Sequence, residues 1–142
     1  MKQLYSLGFL FNASGSRLKL IRKNRPEWQA GKLNGIGGKV EKGEHSYYAM
    51  VREFKEEAGV ATEGWEHYAT LQANDWEVAV YRLFDDVYYE SCKSLTDEDV
   101  VSADYTDILG LDSNCISNLR WLIPLAKNLG KPKLPVLFSY NG

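Results

Sequence analysis

Three glutamates crowd one short segment of this 142-residue chain and could together bind a divalent cation. Glu53, Glu56 and Glu57 stand three and four positions apart, so a helix brings them close enough to repel by about 0.2–0.5 kcal/mol per pair. A cation between the carboxylates turns that repulsion into attraction, and oxygen ligands favour Mg²⁺, with Mn²⁺ as a substitute, over zinc. The alternative is a solvated acidic face that Arg52 and Lys55 partly neutralise.

A glycine-rich stretch precedes the acidic segment and could bring backbone groups close to a ligand. Glycines stand at positions 35, 37, 38 and 43, which predicts positive φ angles or a close backbone approach. The Gly38 carbonyl could then be a further oxygen ligand, and Lys39 could contact a phosphate. A few ordinary turns would also explain the glycines. Together with the acidic segment, however, they favour a site for a metal ion and a phosphate.

The acidic segment must be helical if its carboxylates are to converge. Ser46–Ala58 has helical periodicity, with Ser46 expected as the N-cap and Gly59 as the C-terminal stop. Four apolar side chains lie within about 60° of Tyr47 on the helical wheel: Met50, Val51, Phe54 and Ala58. This stripe should pack on a sheet and leave the glutamates on the opposite side.

Alternating apolar runs elsewhere predict the strands of that sheet. The predicted strands cover residues 3–12, 17–22, 66–73, 76–84 and 100–109, the last as one strand or two. The first strand should be half-buried and form a hairpin with the second. Residues 23–38 should be an ordered loop with short extended pieces, and residues 113–128 a second helix that Pro124 delays or kinks. "LPVLFSY" is either a last strand or a tail over the sheet. The expectation is one mixed α/β domain over residues 1–142.

Composition excludes several classes of function. The net charge of −2 argues against stable binding to nucleic acid, which needs a basic surface. Cys92 and Cys115 are too few and too isolated for a disulfide framework or a zinc site, and we expect two reduced thiols. The sequence has neither an apolar run of about 18 residues nor a signal-peptide profile, so we expect a cytoplasmic protein with no membrane contact.

Residues 38–60 resemble the Nudix box, the family pattern G-x5-E-x7-R-E-U-x-E-E-x-G-U, in which U is a bulky apolar residue. The defined positions hold Gly38, Glu44 and the run Arg52-Glu53-Phe54-Lys55-Glu56-Glu57-Ala58-Gly59-Val60. Phe54 is aromatic where aliphatic residues are commoner. The resemblance implies the Nudix fold, an α/β/α sandwich with a mixed central sheet. It also implies hydrolysis of a nucleoside diphosphate linked to another group, with Mg²⁺ or another divalent cation.

The resemblance assigns roles to the residues of the box. Glu53, Glu56, Glu57 and the Gly38 carbonyl would bind metal, and Glu53 is one candidate for the base. Arg52 and Glu44 would orient the carboxylates rather than react.

Family members often draw another base or metal ligand from a distant loop. Here "SLTDEDV" offers Asp97, Glu98 and Asp99. We choose Glu98 as the catalytic or metal-binding residue, because its place before the late strand resembles that of the family's extra glutamate. An acidic surface turn is the alternative.

Within the family, the chain is most similar to the MutT-type subgroup, which hydrolyses nucleoside triphosphates such as 8-oxo-dGTP to the monophosphate and pyrophosphate. "AGKLNGIGGKVEKGE" resembles that subgroup's loop, in which an asparagine at the position of Asn34 binds the base. Asn118 stands where the subgroup has a second base-binding Asn or Asp. An amide can pair with a purine edge through a donor and an acceptor together. A turn former at Asn34 and a helix cap or surface residue at Asn118 are the alternatives.

Residues before the glycine-rich stretch bear on the substrate. Lys23, between Arg22 and Arg25, could contact the triphosphate, although a solvated basic strand end is an equal alternative. Leu33 stands where oxidised-purine enzymes often have an aromatic residue beside the base. Trp28 could take that part, but a core position is the more common place for a tryptophan.

Other functions stay open. No proline lies between Pro26 and Pro124, whereas the ADP-ribose class typically has one shortly after the box. Trp76 stands near the place where dinucleoside polyphosphate enzymes have a tyrosine. Nucleotide sugars and capped RNA are further substrates of the family. A catalytically inactive nucleotide-sensing domain is a third interpretation, but such domains usually lose box glutamates and this sequence keeps them. The expected partner is a small-molecule nucleotide, bound by a monomer or a homodimer.

Overall fold

The structure, a computed structural model, describes residues 2–108, 114–131 and 134–140. The strands are β1 Gln3–Phe11, β2 Arg17–Arg22, β3 Leu33–Asn34, β4 Ile36–Lys39, β5 Glu66–Gln72, β6 Trp76–Phe84, β7 Val100–Asp104 and β8 Val136–Ser139. The helices are α1 Ser46–Ala58, α2 Asp86–Ser91, α3 Tyr105–Ile108 and α4 Leu119–Asn128, and a short 3-10 helix covers Glu27–Gln29.

The strands form one mixed sheet in the order β3-β2-β1-β6-β5-β8, with β4 also paired to β1 and β7 to β2. β1 and β2 are antiparallel neighbours, as the predicted hairpin requires. β1 and β6 are parallel, with Gln3 opposite Trp76 and Phe11 opposite Phe84. β8 pairs in parallel with β5, so the C-terminal run is a strand rather than a tail over the sheet.

Helices cover both faces of this sheet. On one face, α4 packs on β1 and β2 through Leu119, Leu122, Ile123 and Ala126, against Phe9, Phe11, Leu18 and Leu20. On the other face, α1 packs through Met50, Phe54 and Ala58 against Leu10, Ile21 and Ile36. The predicted α/β/α sandwich and the apolar stripe of α1 are therefore confirmed. None of the helices in the described residues has the length and apolar composition needed to cross a membrane.

The central strand β1 is more deeply buried than its alternation predicts. Phe9, Leu10 and Phe11 are all fully buried, with Phe9 and Phe11 on the α4 side and Leu10 on the α1 side. The expectation of a half-buried strand is wrong for this half of β1, because a strand covered by helices on both faces needs apolar residues on both.

The ends of α1 follow the prediction only in part. The N-cap is His45, not Ser46, because His45 Nδ1 accepts a hydrogen bond from the Tyr47 N–H at 3.0 Å. The Ser46 hydroxyl instead hydrogen-bonds the Tyr81 hydroxyl at 2.6 Å. At the other end Gly59 has φ 78° and its N–H donates to the Lys55 carbonyl, which confirms the predicted stop.

Three elements near the C-terminal half differ from the prediction. Helix α2 was not predicted, although its N-cap Asp85, which accepts from the Tyr88 N–H at 2.8 Å, is a typical start signal. The run over 100–109 is one strand, β7, followed by the single turn α3, and residue 109 lies outside the described residues. Within the run over 113–128, α4 starts at Leu119 and continues through Pro124. Residue 113 is again not described.

The glycines at 35, 37 and 38 lie in close packing, whereas Gly43 has a positive φ. Among the four, only Gly43 has a positive φ, 82°. Gly37 lies in β4 opposite β1, where a Cβ would come within 1.9 Å of the Ser6 carbonyl oxygen. Of the two alternatives predicted for these glycines, positive φ holds at Gly43 and a close backbone approach, here between two strands, holds at Gly37.

Gly37→Ala should destabilise the fold by about 1–3 kcal/mol, because the methyl group must push β4 away from β1. Urea unfolding followed by circular dichroism measures the loss. Gly130→Ala is the matched control, since a Cβ there meets no atom within 4 Å, and it should change stability by less than about 0.5 kcal/mol. Equal effects of the two variants would contradict the packing explanation.

Candidate active site

Strand β4 and helix α1 bring the glycine-rich stretch against the predicted metal-binding carboxylates. A Cβ on Gly38 would lie 2.5 Å from the carboxyl carbon of Glu53 and 2.6–2.7 Å from its oxygens. A larger residue at position 38 would displace the Glu53 carboxylate, whose side chain is 16% exposed, from this position. The structure thus brings Gly38 and Glu53 together, 15 positions apart in the sequence.

Glu57 lies deepest in this group. Its Oε2 is buried and has no hydrogen-bond partner. Burial and the neighbouring charge of Glu53 raise the pKa of Glu57 to about 7, although Lys23 and the Gly37 N–H act in the opposite direction. A buried carboxylate oxygen without a partner is costly, and a hard divalent cation supplies what such an oxygen lacks. This donor set therefore fits a divalent metal ion.

Arg52 holds the other carboxylates in place. Its Nε and Nη2 donate to the two oxygens of Glu44 at 3.0 and 2.9 Å, a two-pronged contact that only arginine can make. Nη1 donates to Glu53 Oε1 at 2.8 Å, and Nη2 also donates to the Lys39 carbonyl at 3.0 Å. The hydrogen bonds from Arg52 hold the pKa of the Glu44 carboxyl below its ordinary value. This geometry supports the orienting role predicted for Arg52 and Glu44.

Arg52→Lys should lower kcat/KM by about 10- to 100-fold, because one ammonium cannot bind Glu44, Glu53 and the β4 carbonyl together. Initial rates at saturating metal measure the loss, and far-ultraviolet circular dichroism checks that the fold is kept. Arg17→Lys is the control, since Arg17 forms an exposed ion pair with Asp104 and should change the rate less than about twofold. A lysine variant with full activity would contradict the orienting role.

The three glutamates do not meet at one point. Glu56 is 59% exposed and its Oε2 lies 3.6 Å from Arg52 Nη1, so Arg52 attracts both Glu53 and Glu56. Within residues 2–108, 114–131 and 134–140, no three His, Cys, Asp or Glu side chains converge closely enough to hold a metal ion as they stand. Joint binding of one cation by these carboxylates therefore requires their side chains to change position.

Glu98 lies beside this group but is already bound to the chain. It is 4% exposed, which rules out the acidic surface turn. Its Oε1 accepts from Lys23 Nζ at 3.0 Å, and its Oε2 accepts from the Asn24 N–H at 2.6 Å. Burial alone would raise the pKa of Glu98, but these donors outweigh it and keep that pKa below its ordinary value. The same contact makes Lys23 a half-buried partner of Glu98 rather than a solvated strand end.

The two predicted base-binding asparagines lie on neighbouring segments. Ile116 donates its N–H to the Leu33 carbonyl at 2.9 Å, which places the start of α4 beside β3. Asn34 donates Nδ2 to Gln29 Oε1 at 3.1 Å, and its Oδ1 accepts from the Gly35 N–H at 2.8 Å. Asn118 makes no capping bond with its side chain, and its buried Oδ1 has no hydrogen-bond partner. A helix cap therefore does not account for the Asn118 amide.

Four more residues near this place bear on the predicted site. Trp28, on the 3-10 helix, is 65% exposed, so a core position is wrong for it. Leu33 is 5% exposed and belongs to the core on the α4 side. Gln29, which holds the Asn34 amide, was not predicted, and no local pattern could identify it because the contact depends on how residues 23–32 fold back. Lys39 is exposed at the end of β4.

Comparison with known proteins agrees with this fold. The family model of the NUDIX domain matches residues 1–124. No curated protein matches the chain significantly. A MutT structure from a study of Aliivibrio salmonicida and Vibrio cholerae is similar, with a TM-score of 0.75 and 18% identity over 89% of this chain and 98% of the other.

Two further solved structures share the fold. The mutator MutT protein of Bacillus halodurans has a TM-score of 0.73 and 16% identity over 98% of this chain and 90% of its own. A NUDIX hydrolase of Nitrosomonas europaea has a TM-score of 0.72 and 17% identity over 99% and 80%. Because the family model spans most of the chain, the chain belongs to the Nudix domain family and is a pyrophosphohydrolase of that family.

Proposed function

We propose that this chain is a Mg²⁺-dependent nucleoside triphosphate pyrophosphohydrolase that releases a nucleoside monophosphate and pyrophosphate. The cation would be held by Glu53, Glu56, Glu57 and the Gly38 carbonyl, and Mn²⁺ should substitute for Mg²⁺. The observation that carries the proposal is the buried, partnerless Oε2 of Glu57 beside Glu53. Two carboxylates so close in a desolvated place lack a positive charge, which a divalent cation supplies.

Different residues of the chain would have different roles in hydrolysis. A divalent cation supplies Lewis-acid chemistry, because it neutralises charge on the diphosphate and acidifies the attacking water. Arg52 fixes the Glu53 carboxylate through the 2.8 Å bond, and Glu53 is the candidate that accepts the proton of that water. Lys39 is exposed at the end of β4 and can contact a phosphate. Positioning of this kind is the main requirement for in-line attack at phosphorus.

The substrate is proposed to be a purine nucleoside triphosphate, with 8-oxo-dGTP as the first candidate. Asn118 offers a buried amide oxygen without a partner, and Asn34 lies on the neighbouring strand. Exposed Trp28 is available to lie against a base, whereas buried Leu33 is not. The names of two similar structures, both MutT, point to the same subgroup.

Another phosphoanhydride is the second candidate function. ADP-ribose, a dinucleoside polyphosphate, a nucleotide sugar and capped RNA all contain the diphosphate that this site could bind. Neither the proline typical of ADP-ribose enzymes nor the tyrosine typical of dinucleoside polyphosphate enzymes is found in its place. The cytoplasmic location and the choice between monomer and homodimer stay predictions.

A substrate panel with Mg²⁺ tests the proposal. The panel holds 8-oxo-dGTP, dGTP, dATP, ADP-ribose and a diadenosine polyphosphate, with product formation followed by ion-exchange chromatography. We expect the highest kcat/KM for a purine triphosphate, and Asn118→Ala should lower it by about 10-fold or more through a higher KM. Turnover of ADP-ribose or the diadenosine compound without turnover of any triphosphate would contradict the proposed substrate. It would leave the family unchanged.

A further inference from the structure

The segment between β2 and β3, residues 23–32, is a loop that is closed at its base and hereafter called the β2–β3 loop. The Lys23 N–H donates to the Lys32 carbonyl at 2.8 Å, and the Gly31 N–H donates to the Lys23 carbonyl at 2.7 Å. Arg22 Nη1 also donates to the Gly31 carbonyl at 3.1 Å. These bonds fix where the loop leaves the sheet, but they do not fix its far end.

Glu98 fixes the first part of this loop from outside. Its Oε2 accepts from the Asn24 N–H at 2.6 Å and from the Arg25 N–H at 3.3 Å, while its Oε1 accepts from Lys23 Nζ at 3.0 Å. Arg25 Nη1 lies 3.9 Å from Oε2 as well. Both oxygens of the carboxylate are therefore bound to three consecutive residues of one loop.

The contrast with Glu57 separates two kinds of carboxylate at this site. Glu57 is half-buried and its buried Oε2 has no hydrogen-bond partner, whereas Glu98 is 4% exposed with both oxygens bound. A metal ion on Oε1 would compete with the Lys23 ammonium, and one on Oε2 would compete with the N–H groups of Asn24 and Arg25. Unpaired polar groups in a buried place are costly. The arrangement therefore opposes a ligand role for Glu98.

We propose that Glu98 is a positioning residue that anchors the β2–β3 loop beside the nucleotide site, and not a metal ligand or the base. The loop carries Trp28, which is 65% exposed, and Gln29, whose Oε1 accepts from Asn34 Nδ2 at 3.1 Å. Glu98 thus acts through the loop on the residues that would contact the base. This inference rests on the proposed function for the identity of the ligand, but its anchoring contacts do not.

Amide hydrogen exchange in the unaltered protein tests the anchor first. The N–H groups of Asn24 and Arg25 should exchange slowly although both residues are exposed, because they donate to a buried carboxylate. Saturating Mg²⁺ alone should leave that protection unchanged. If Mg²⁺ made these two amides exchange about tenfold faster or more, Glu98 would be leaving the loop for the metal, and the proposal would be overturned.

Glu98→Gln gives the second test, with Glu90→Gln as the matched control on the exposed face of α2. The amide can still accept from the loop, but its NH₂ group repels Lys23. We expect Mn²⁺ binding, followed by electron paramagnetic resonance, to change less than about twofold. The exchange of the Asn24 amide should become faster and the KM for the nucleotide should rise about tenfold, with kcat changed less than about threefold. Glu90→Gln should leave Mn²⁺ binding and amide exchange unchanged.

The readouts separate failure of this inference from failure of the proposed function. Mn²⁺ binding weakened about tenfold or more in Glu98→Gln, with loop exchange unchanged, would make Glu98 a metal ligand and overturn the inference whatever the substrate. Failure of every nucleotide to react would overturn the proposed function, while Mn²⁺ binding and amide exchange would still decide the role of Glu98. If Glu98→Gln does not fold, exchange in the unaltered protein with and without Mg²⁺ decides it.

Discussion

Glu57→Gln should abolish metal-dependent hydrolysis while leaving the metal-free protein at least as stable as before. The Oε2 of Glu57 is buried without a hydrogen-bond partner, so this oxygen is available to a cation and loses no internal hydrogen bond when it binds one. An amide carries no charge, and loss of a group that stabilises the transition state electrostatically costs on the order of a thousandfold in kcat. Initial rates at saturating Mg²⁺ and Mn²⁺ binding measured in parallel provide the test.

The stability of the same variant should depend on pH in a defined direction. The pKa of Glu57 is raised from 4.5 to about 7, chiefly by burial and then by the charge of Glu53. The folded protein therefore holds the Glu57 proton more tightly than the unfolded chain does. As pH rises from the pKa of the unfolded chain through the pKa of the folded protein, the free energy of unfolding decreases. Without metal, Glu57→Gln should therefore have the same melting temperature as the parent protein near about pH 5. Near about pH 8 its melting temperature should be higher than that of the parent protein.

Glu63→Gln is the control for both measurements, because Glu63 is exposed outside α1. It should keep activity, and its melting temperature should follow the parent protein at both pH values. Unchanged metal binding and unchanged hydrolysis in Glu57→Gln would show that α1 is not the metal site. A melting temperature below that of the parent at high pH would show that the Glu57 carboxylate has a stabilising partner in the fold.

Arg82→Met should cause the largest loss of stability, about 3–5 kcal/mol. The Arg82 side chain is 7% exposed and lies on β6 under the end of α4. Its Nη1 donates to the carbonyls of Ala126 and Leu129 at 2.8 and 2.5 Å, and its Nη2 donates to the carbonyl of Gly130 at 2.9 Å. The carbonyls at the C-terminal end of a helix have no partner within the helix. Methionine has no N–H donor, so Arg82→Met removes the hydrogen bonds to all three carbonyls.

Urea unfolding measures the effect of Arg82→Met, and Arg17→Met is the control. The Arg17 side chain is 50% exposed in its pair with Asp104, and exposed ion pairs contribute about 0–1 kcal/mol. The pairing of Arg82 with Glu66 explains little of the expected loss, because Glu66 is 38% exposed. A loss below about 1 kcal/mol in Arg82→Met would contradict the view that this arginine holds the C-terminal end of α4.

The relative positions of residues close in sequence were predictable, because helical geometry alone determines them. The positions of Glu53, Glu56 and Glu57 on α1, and the end of that helix at Gly59, follow from spacing of three and four residues. The hairpin of β1 and β2 follows from two alternating runs with a turn between them. Such features need no knowledge of how distant segments meet.

Features that depend on distant contacts were not predictable in the same way. Glu98 meets Lys23 across 75 positions, and Arg82 meets the carbonyl of Gly130 across 48. A charged side chain generally predicts exposure, and only the tertiary fold shows that Glu98 and Arg82 are buried. Exposed Trp28 is the reverse case, since an aromatic residue predicts burial but the closed loop leaves its side chain in solvent.

The central claim is that the carboxylates of α1 bind a divalent cation that the chain needs to split a nucleoside triphosphate into a monophosphate and pyrophosphate. Phosphorus NMR of dGTP incubated with the protein tests it most directly, with Mg²⁺ and then with the metal chelated. We predict dGMP and pyrophosphate as the only products, and no products after chelation. Formation of dGDP and orthophosphate, or an equal rate without metal, would contradict the claim.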